Sequence, residues 1–85
     1  SLRLRAWPFE GPVGIRERAA DGAGTLLHVV DRWQHLGTAQ DEGEVAELLR
    51  SSGGRPFDAD SYRIVARCLE RLPRRDLVMF ARGEH

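Results

Sequence analysis

The sequence predicts a small α+β domain: a mostly antiparallel sheet in the order β-β-β-α-α-β, with two helices packed on one face. Three observations support this class. Apolar residues alternate with polar ones near the start of the chain, which is the period of a strand. Two later segments repeat their apolar residues at helical spacing, each after an aspartate. Glycine or proline lies at most of the boundaries between segments, as in turns.

The first two strands are predicted over residues 2–7 and 13–18, where apolar side chains occupy alternate positions. Pro8 and Pro12 lie between them and favour a loop, so the pair is expected to form an antiparallel hairpin. Residues 25–33 are apolar on both parities, as in a strand that is covered on both faces and is central in its sheet. This third strand is expected to end before Gly37.

Asp41 followed by Glu44 resembles a capping box, which predicts a short helix that ends at residues 51–54. Asp58 is expected to cap a second helix over residues 59–72, whose apolar residues recur at helical spacing. The predicted core joins apolar residues from these segments: Leu4, Val13, Ile15, Leu27, Val29, Val45, Leu48, Tyr62, Val65 and Leu69.

Pro73 ends the second helix, and residues 77–81 are predicted to form the last strand. The 85 residues are enough for one modest core, so residues 1–85 are expected to form a single domain. No apolar run approaches the roughly 20 residues of a membrane span, and no membrane partner is expected. Cys68 is the only cysteine, which excludes an intramolecular disulfide and favours a cytoplasmic protein.

The charges balance overall, since 13 arginines and no lysine face 13 carboxylates. Attraction to nucleic acid therefore requires a local patch. The strongest such patch is an arginine stripe on the second helix, whose spacing keeps its members on one side: Arg63, Arg67, Arg71 and Arg74. The stripe predicts a surface that contacts phosphates without reading sequence. A solvated face opposite the apolar residues is the alternative explanation.

A second arginine set would share one sheet face if the first two strands pair: Arg3, Arg5, Arg16 and Arg18. Four cations on one face repel one another unless carboxylates or a bound anion lie nearby. These residues are therefore further candidates for DNA contact, with a solvated face again the alternative.

No catalytic or metal-binding constellation is predicted. His28, His35 and Cys68 lack the spacing of zinc ligands, and His28 is expected to pack in a strand with one ring nitrogen hydrogen-bonded. The acidic residues at 41–44 and 58–60 could suggest a Mg²⁺ site, but helix N-termini favour negative charge without a metal.

Three aromatic residues, Trp7, Phe9 and Trp33, have two possible roles. They could serve as stacking platforms for unpaired bases. In a domain this small they are expected instead to anchor the core, with Trp7 the more plausible exception because Pro8 follows it.

Three segments have an order and spacing that resemble one family: WPFEGPVGI at residues 7–15, HVVDRW at 28–33 and FDADSYRI at 57–64. In these residues the chain resembles the C-terminal region of Cho-type excinucleases, which are UvrC-related GIY-YIG endonucleases of nucleotide-excision repair. A similar region occurs in fusions with an exonuclease that resembles the DNA polymerase III epsilon subunit. The resemblance covers residues 2–72.

The resemblance implies a non-catalytic accessory domain, the C-terminal part of a larger DNA-repair nuclease. The nuclease module of that family uses a tyrosine, an arginine, a glutamate and a divalent metal, and its motifs are not found here, since Arg16 follows the Gly-Ile pair where a tyrosine would be needed. No cofactor is therefore expected in this domain, and Mg²⁺ would belong to the nuclease module. The matching residues are interpreted as fold-defining: Trp7, Gly11, His28, Trp33, Gly37, Phe57, Asp58, Tyr62 and Ile64.

Two function classes follow. The first is an accessory module that contacts the DNA backbone weakly through arginine, beside the nuclease module of the same chain. The second is a protein-interaction module that orients the nuclease domain or docks a repair partner. Salt dependence separates them, because backbone binding weakens steeply with salt whereas an apolar docking surface does not.

Overall fold

The computed structural model describes residues 4–53 and 56–82 of the chain. They form a four-stranded antiparallel sheet with two helices, which confirms the predicted α+β class and the order of elements. The elements are β1 (Val13–Arg18), β2 (Thr25–Asp31), β3 (Gln34–Ala39), α1 (Glu42–Arg50), α2 (Ala59–Arg71), a 3-10 turn (Arg74–Asp76) and β4 (Leu77–Met79). The strands lie in the order β3-β2-β1-β4, so β2 is central, as predicted.

The predicted hairpin between residues 2–7 and β1 is wrong where it can be compared. Its residues 2 and 3 lie outside the described residues, and residues 4–7 belong to no strand. β1 pairs along its whole length with β2 and over its first half with β4. The backbone of the N-terminal segment bonds to side chains instead: the Arg5 amide donates to the Tyr62 hydroxyl over 3.1 Å.

The sheet gains its third strand from a hairpin that the sequence pattern does not reveal. Arg32 and Trp33 form a two-residue loop between β2 and β3, with φ angles of 50° and 69°. Positive φ at both positions is the mark of a type I′ turn, which favours Asn-Gly. Because Arg and Trp are not turn residues, Gly37 was wrongly expected to end the strand region, whereas it lies inside β3.

Both helix starts are confirmed. The Asp41 carboxylate accepts from the Glu44 amide over 2.8 Å, and the Glu44 carboxylate accepts from the Gln40 amide over 2.6 Å. This is a capping box in which the reciprocal bond reaches one residue further back than usual. At the start of α2, the Asp58 carboxylate accepts from the Asp60 amide over 3.0 Å. The carboxylates at both helix starts therefore satisfy backbone donors.

The two helices lie on opposite faces of the sheet, so their predicted placement on one face is wrong. Neighbouring strand residues point to opposite faces, and Val29 and Val30 are both buried. Val30 packs in a cluster with Tyr62 of α2, whereas Val29 packs in another with Val45 of α1. A strand that is apolar on both parities requires a cover on each face. The pattern that marked β2 as central thus also implied a helix on either side.

The core is accordingly divided in two. The cluster beneath α2 contains Val13, Ile15, Val30, Trp33, Tyr62, Val65 and Ala66. The cluster beneath α1 contains Val29, Leu36, Ala39 and Val45. The other predicted core residues pack against one cluster or the other, except Leu4, which is 56% exposed. Leu4 was assigned to the core because it was placed in a strand that does not exist there.

The N-terminal segment and the end of the chain meet beside the sheet. A Cβ at Gly11 would lie 2.3 Å from the Phe80 carbonyl oxygen, so only glycine fits between these two stretches of backbone. Arg82 donates two hydrogen bonds, of 2.7 and 2.9 Å, to the Asp31 carboxylate, which is only 11% exposed. Neither helix of the described chain is long and apolar enough to cross a membrane.

Candidate nucleic-acid interface

The arginine stripe lies on the solvent side of α2. Arg63, Arg67 and Arg71 are all exposed, whereas Tyr62 and Val65 of the same helix are buried against the sheet. Spacings of four residues keep the three guanidinium groups on one side of a helix. The fourth member, Arg74, is also exposed but lies beyond Pro73 in the 3-10 turn, so it extends the row past the end of the helix.

The two ends of the stripe differ in how far their charge is neutralised. Near the start of α2, the Arg63 guanidinium lies 3.2 Å from the Asp60 carboxylate. Among residues 4–53 and 56–82, no carboxylate forms an ion pair with Arg67, Arg71 or Arg74. The uncompensated charge therefore lies at the C-terminal half of the helix and in the turn that follows.

The second arginine set does not form the shared face that was predicted for it. Arg3 lies outside the described residues, and Arg5 belongs to no strand. The Arg5 guanidinium pairs with the Glu70 carboxylate at 2.9 Å. Hydrogen bonding to Tyr62, and after it the charge of Glu70, raises the pKa of Arg5. This cation already has a carboxylate partner, which reduces its value for a phosphate.

Arg16 and Arg18 lie in β1 and are exposed. Arg16 reaches the turn that follows α2, where its Nη1 donates to the Arg75 carbonyl. Arg16, a member of the second set, therefore reaches the turn that contains Arg74, the last member of the stripe. We call these five exposed residues the arginine cluster: Arg16, Arg67, Arg71, Arg74 and Arg75.

Arg75 is the residue of this cluster that sequence reasoning did not select. It lies off the helical stripe, because Pro73 ends the helix before it. Its carbonyl accepts from Arg16, which places the backbone of this turn beside β1. A contact across 59 sequence positions leaves no signal in local spacing.

His28 and His35 lie on the α2 face of the sheet. The Nε2 atom of His28 lies 2.9 Å from a carboxylate oxygen of Glu17, which confirms a strand histidine with a hydrogen-bonded ring nitrogen. The other ring nitrogen lies 3.4 Å from the Thr38 hydroxyl, and the His35 ring centroid is 5.6 Å away. Within the described ranges, no group of three or more His, Cys, Asp or Glu side chains is placed to hold a metal ion.

The aromatic residues are core anchors rather than exposed stacking platforms. Trp33 is buried, and its ring centroid lies 5.1 Å from that of Trp7 and 4.9 Å from that of Tyr62, both in edge-on geometry. Phe9 packs edge-on against Trp7 at 5.2 Å. The indole Nε1 of Trp7 donates to the Gly11 carbonyl over 2.9 Å. These rings fix the N-terminal segment against α2 and β2.

Two apolar residues interpreted as fold-defining lie at the surface. Phe57 and Ile64 are 53% and 64% exposed, so neither fills the core. Cys68 is exposed on the same flank of α2 as Ile64. Burial in the core therefore does not account for these two positions, and the flank around Ile64 needs another explanation.

In a comparison with protein families, residues 12–82 match the family described as the excinuclease Cho C-terminal domain. Comparisons with curated proteins and with solved structures gave no match. The matched range begins at the buried entry to β1 and ends at Arg82, so it includes every strand and helix described above.

Proposed function

Because the chain belongs to the excinuclease Cho C-terminal domain family, we propose that it is a non-catalytic accessory domain that binds the DNA backbone through arginine, without sequence preference. In this proposal the chemistry of cleavage, with any Mg²⁺ that it requires, resides in a separate nuclease module of the parent protein. The domain adds affinity and position rather than reacting groups.

The arginine cluster is the observation that carries this proposal. Its guanidinium groups have no carboxylate partner among residues 4–53 and 56–82. They belong to α2, to the 3-10 turn and to β1, and the Arg16 side chain joins β1 to that turn by donating to the Arg75 carbonyl. Arginine presents a planar fork that binds phosphate oxygens bidentately, and the bond is strengthened by charge. A group of such guanidinium groups can contact several phosphates and carries no base information.

The overall neutrality of the chain limits the expected affinity. Since the formal net charge is zero, only the local field of the cluster attracts DNA. Non-specific binding at physiological salt usually has a Kd of about 10⁻⁴–10⁻⁶ M. We therefore expect weak binding that is measurable mainly at low ionic strength. The parent nuclease would use it to align DNA that other modules already hold.

The test is a salt titration with a charge-matched control. Binding of the 85-residue chain to a labelled duplex is measured by fluorescence anisotropy from about 20 to 200 mM salt. The plot of log K against log salt has a negative slope, and the double variant Arg67→Gln/Arg74→Gln should make this slope less steep by about two. The control, Arg32→Gln/Arg50→Gln, removes two exposed arginines away from the cluster and should leave the slope unchanged.

Equal losses in the two double variants would contradict a localised contact, and so would the absence of any binding by the parent chain at about 20 mM salt. A sequence-independent site should also bind duplexes of different sequence with equal affinity. The same protein should not cleave DNA in the presence of Mg²⁺, as gel analysis would show. Metal-dependent cleavage that an internal substitution abolishes would refute the accessory role.

A further inference from the structure

A groove of about 690 Å³ runs beside α2 on the flank opposite Glu70. Ile15 and Val30 of the sheet, Val65 of α2 and Leu72, which caps the end of α2, line its inner side. The groove follows the helix from Ser61 to Leu72, which is about 16 Å at the rise of an α-helix. It exists because one helix is too narrow to cover this face of the sheet completely.

The outer wall of the groove carries apolar side chains that are exposed to solvent. Ile64 contributes to this wall and is 64% exposed, and Cys68, one turn later, is also exposed. An isolated exposed isoleucine is common and needs no explanation. Here the isoleucine adjoins a continuous apolar floor, and apolar surface of that kind marks sites of interaction.

Charges are distributed unevenly along the groove. Asp58 and Asp60 lie at the end where α2 begins, whereas Arg16 and Arg71 lie at the end where it finishes. Glu17 lies between them, paired with His28 at 2.9 Å. The lining therefore holds three carboxylates and two guanidinium groups, which disfavours a polyanion along its length. It suits a ligand with an apolar centre and opposite charges at its two ends.

We propose that this groove is a docking site for an amphipathic protein segment. The segment would place an apolar face over Ile64 and Cys68, a cationic side chain near Asp58 and Asp60, and a carboxylate near Arg71. Apolar anchors supply the affinity in such helix-in-groove recognition, and charges at the ends fix direction and partner. The groove shares Arg16 and Arg71 with the arginine cluster, whereas Arg67, Arg74 and Arg75 lie outside its lining, so substitutions at Arg67 and Arg74 test the DNA contact alone.

The site is tested with three synthetic amphipathic peptides of about 14 residues, the length that spans the groove as a helix. They share one leucine-rich face and carry lysine at both ends, glutamate at both ends, or one of each. Binding to the 85-residue chain is followed by amide chemical-shift changes. The peptide with opposite ends should bind most tightly and should perturb the residues around Ile64 and Cys68.

Two substitutions at the ends of the groove test the charge pattern. Arg71→Glu should improve binding of the dilysine peptide by about tenfold, and Asp60→Arg should do the same for the diglutamate peptide. Ile64→Glu should weaken all three by about tenfold or more, because it places a charge against the apolar face. Ile64→Ser is a milder second variant. Arg67→Glu is the control, since this residue is exposed on the same helix but lies outside the groove.

Several outcomes overturn the proposal. One is that no peptide shifts the groove residues at millimolar concentration. Another is that affinities ignore the charge swaps, or that Ile64→Glu and Arg67→Glu have equal effects. A single-stranded oligonucleotide that displaces the peptide and shifts the same residues would assign the groove to nucleic acid. Failure here leaves the duplex-binding result of Arg67→Gln/Arg74→Gln unaffected, so the two proposals fail separately.

Discussion

The two faces of the sheet are covered by helices of very different character. The cluster between α2 and the sheet has seven buried residues, three of them from α2, and the aromatic rings of Trp7 and Phe9 pack against it. Beneath α1 there are four buried residues, of which Val45 is the only one contributed by that helix. The α2 face therefore contains the larger part of the core, and α1 covers a smaller apolar cluster on the other face.

The outer sides of the two helices differ as well. α1 carries three glutamates and one arginine, whereas α2 carries three arginines against one aspartate and one glutamate. Two further arginines follow α2 in the 3-10 turn. The α1 helix by itself therefore carries net negative charge. Aromatic packing fixes the inner side of α2, so the guanidinium groups on its outer side project from a well-packed helix. Both proposed surfaces include residues of α2.

The largest expected effect comes from breaking the aromatic packing beneath α2. Trp33→Ala removes a buried ring that contacts Trp7 and Tyr62, and with it the 2.8 Å bond to the Arg5 carbonyl. We expect a loss of about 3–5 kcal/mol in the free energy of unfolding, measured by urea denaturation. Val45→Ala, beneath α1, should cost about 2 kcal/mol because it removes less apolar volume. Equal losses would contradict the proposed difference between the two faces.

An intermediate effect is expected where α1 meets β3. A Cβ at Gly37 would lie 2.5 Å from Cδ2 of Leu48, and the backbone there has a φ of 152°. Gly37→Ala should therefore cost about 1–3 kcal/mol through crowding and backbone strain. The double variant Gly37→Ala/Leu48→Ala should be less destabilised than the sum of its two single variants. Strict additivity in urea denaturation would show that Leu48 already moves freely, and that α1 is more loosely packed than the structure indicates.

The sequence predicted the parts of the fold that depend on local signals. The aspartate caps, the helical stripe of α2 and the two-sided apolar run of β2 are each visible within a short window, and each is confirmed. The β2–β3 hairpin was missed because its turn residues, Arg32 and Trp33, are held in place by distant packing rather than by turn propensity. The false strand at residues 4–7 arose because alternation alone does not distinguish a strand from a segment pinned by aromatic side chains.

For the candidate surfaces, too, the features that depend on local signals could be predicted and those that depend on tertiary structure could not. The arginine stripe follows from helical periodicity alone, and its exposure is confirmed, although its contact with DNA remains a proposal. The meeting of Arg16 with Arg75 depends on tertiary structure, and so does the groove beside Ile64. Spacing along the chain permits the Asp60–Arg63 pair and equally a pair between Arg67 and Glu70. Only the tertiary structure shows that Glu70 pairs with Arg5 instead.

The smallest expected effect is a gain in stability at the turn that the sequence concealed. Arg32 is exposed at a φ of 50°, a left-handed conformation that costs an ordinary residue about 1–2 kcal/mol and that asparagine tolerates better. Arg32→Asn should therefore raise the free energy of unfolding by about 0.5–1 kcal/mol, seen as a higher melting temperature. Arg32→Ala is the control, because it removes the same charge without favouring positive φ, and it should give no increase. Equal stabilisation by both would trace the effect to the lost charge. Trp33 follows in the same turn and packs beneath α2. A gain that only asparagine produces would show that this packing holds the turn in a backbone conformation that its own residues do not favour.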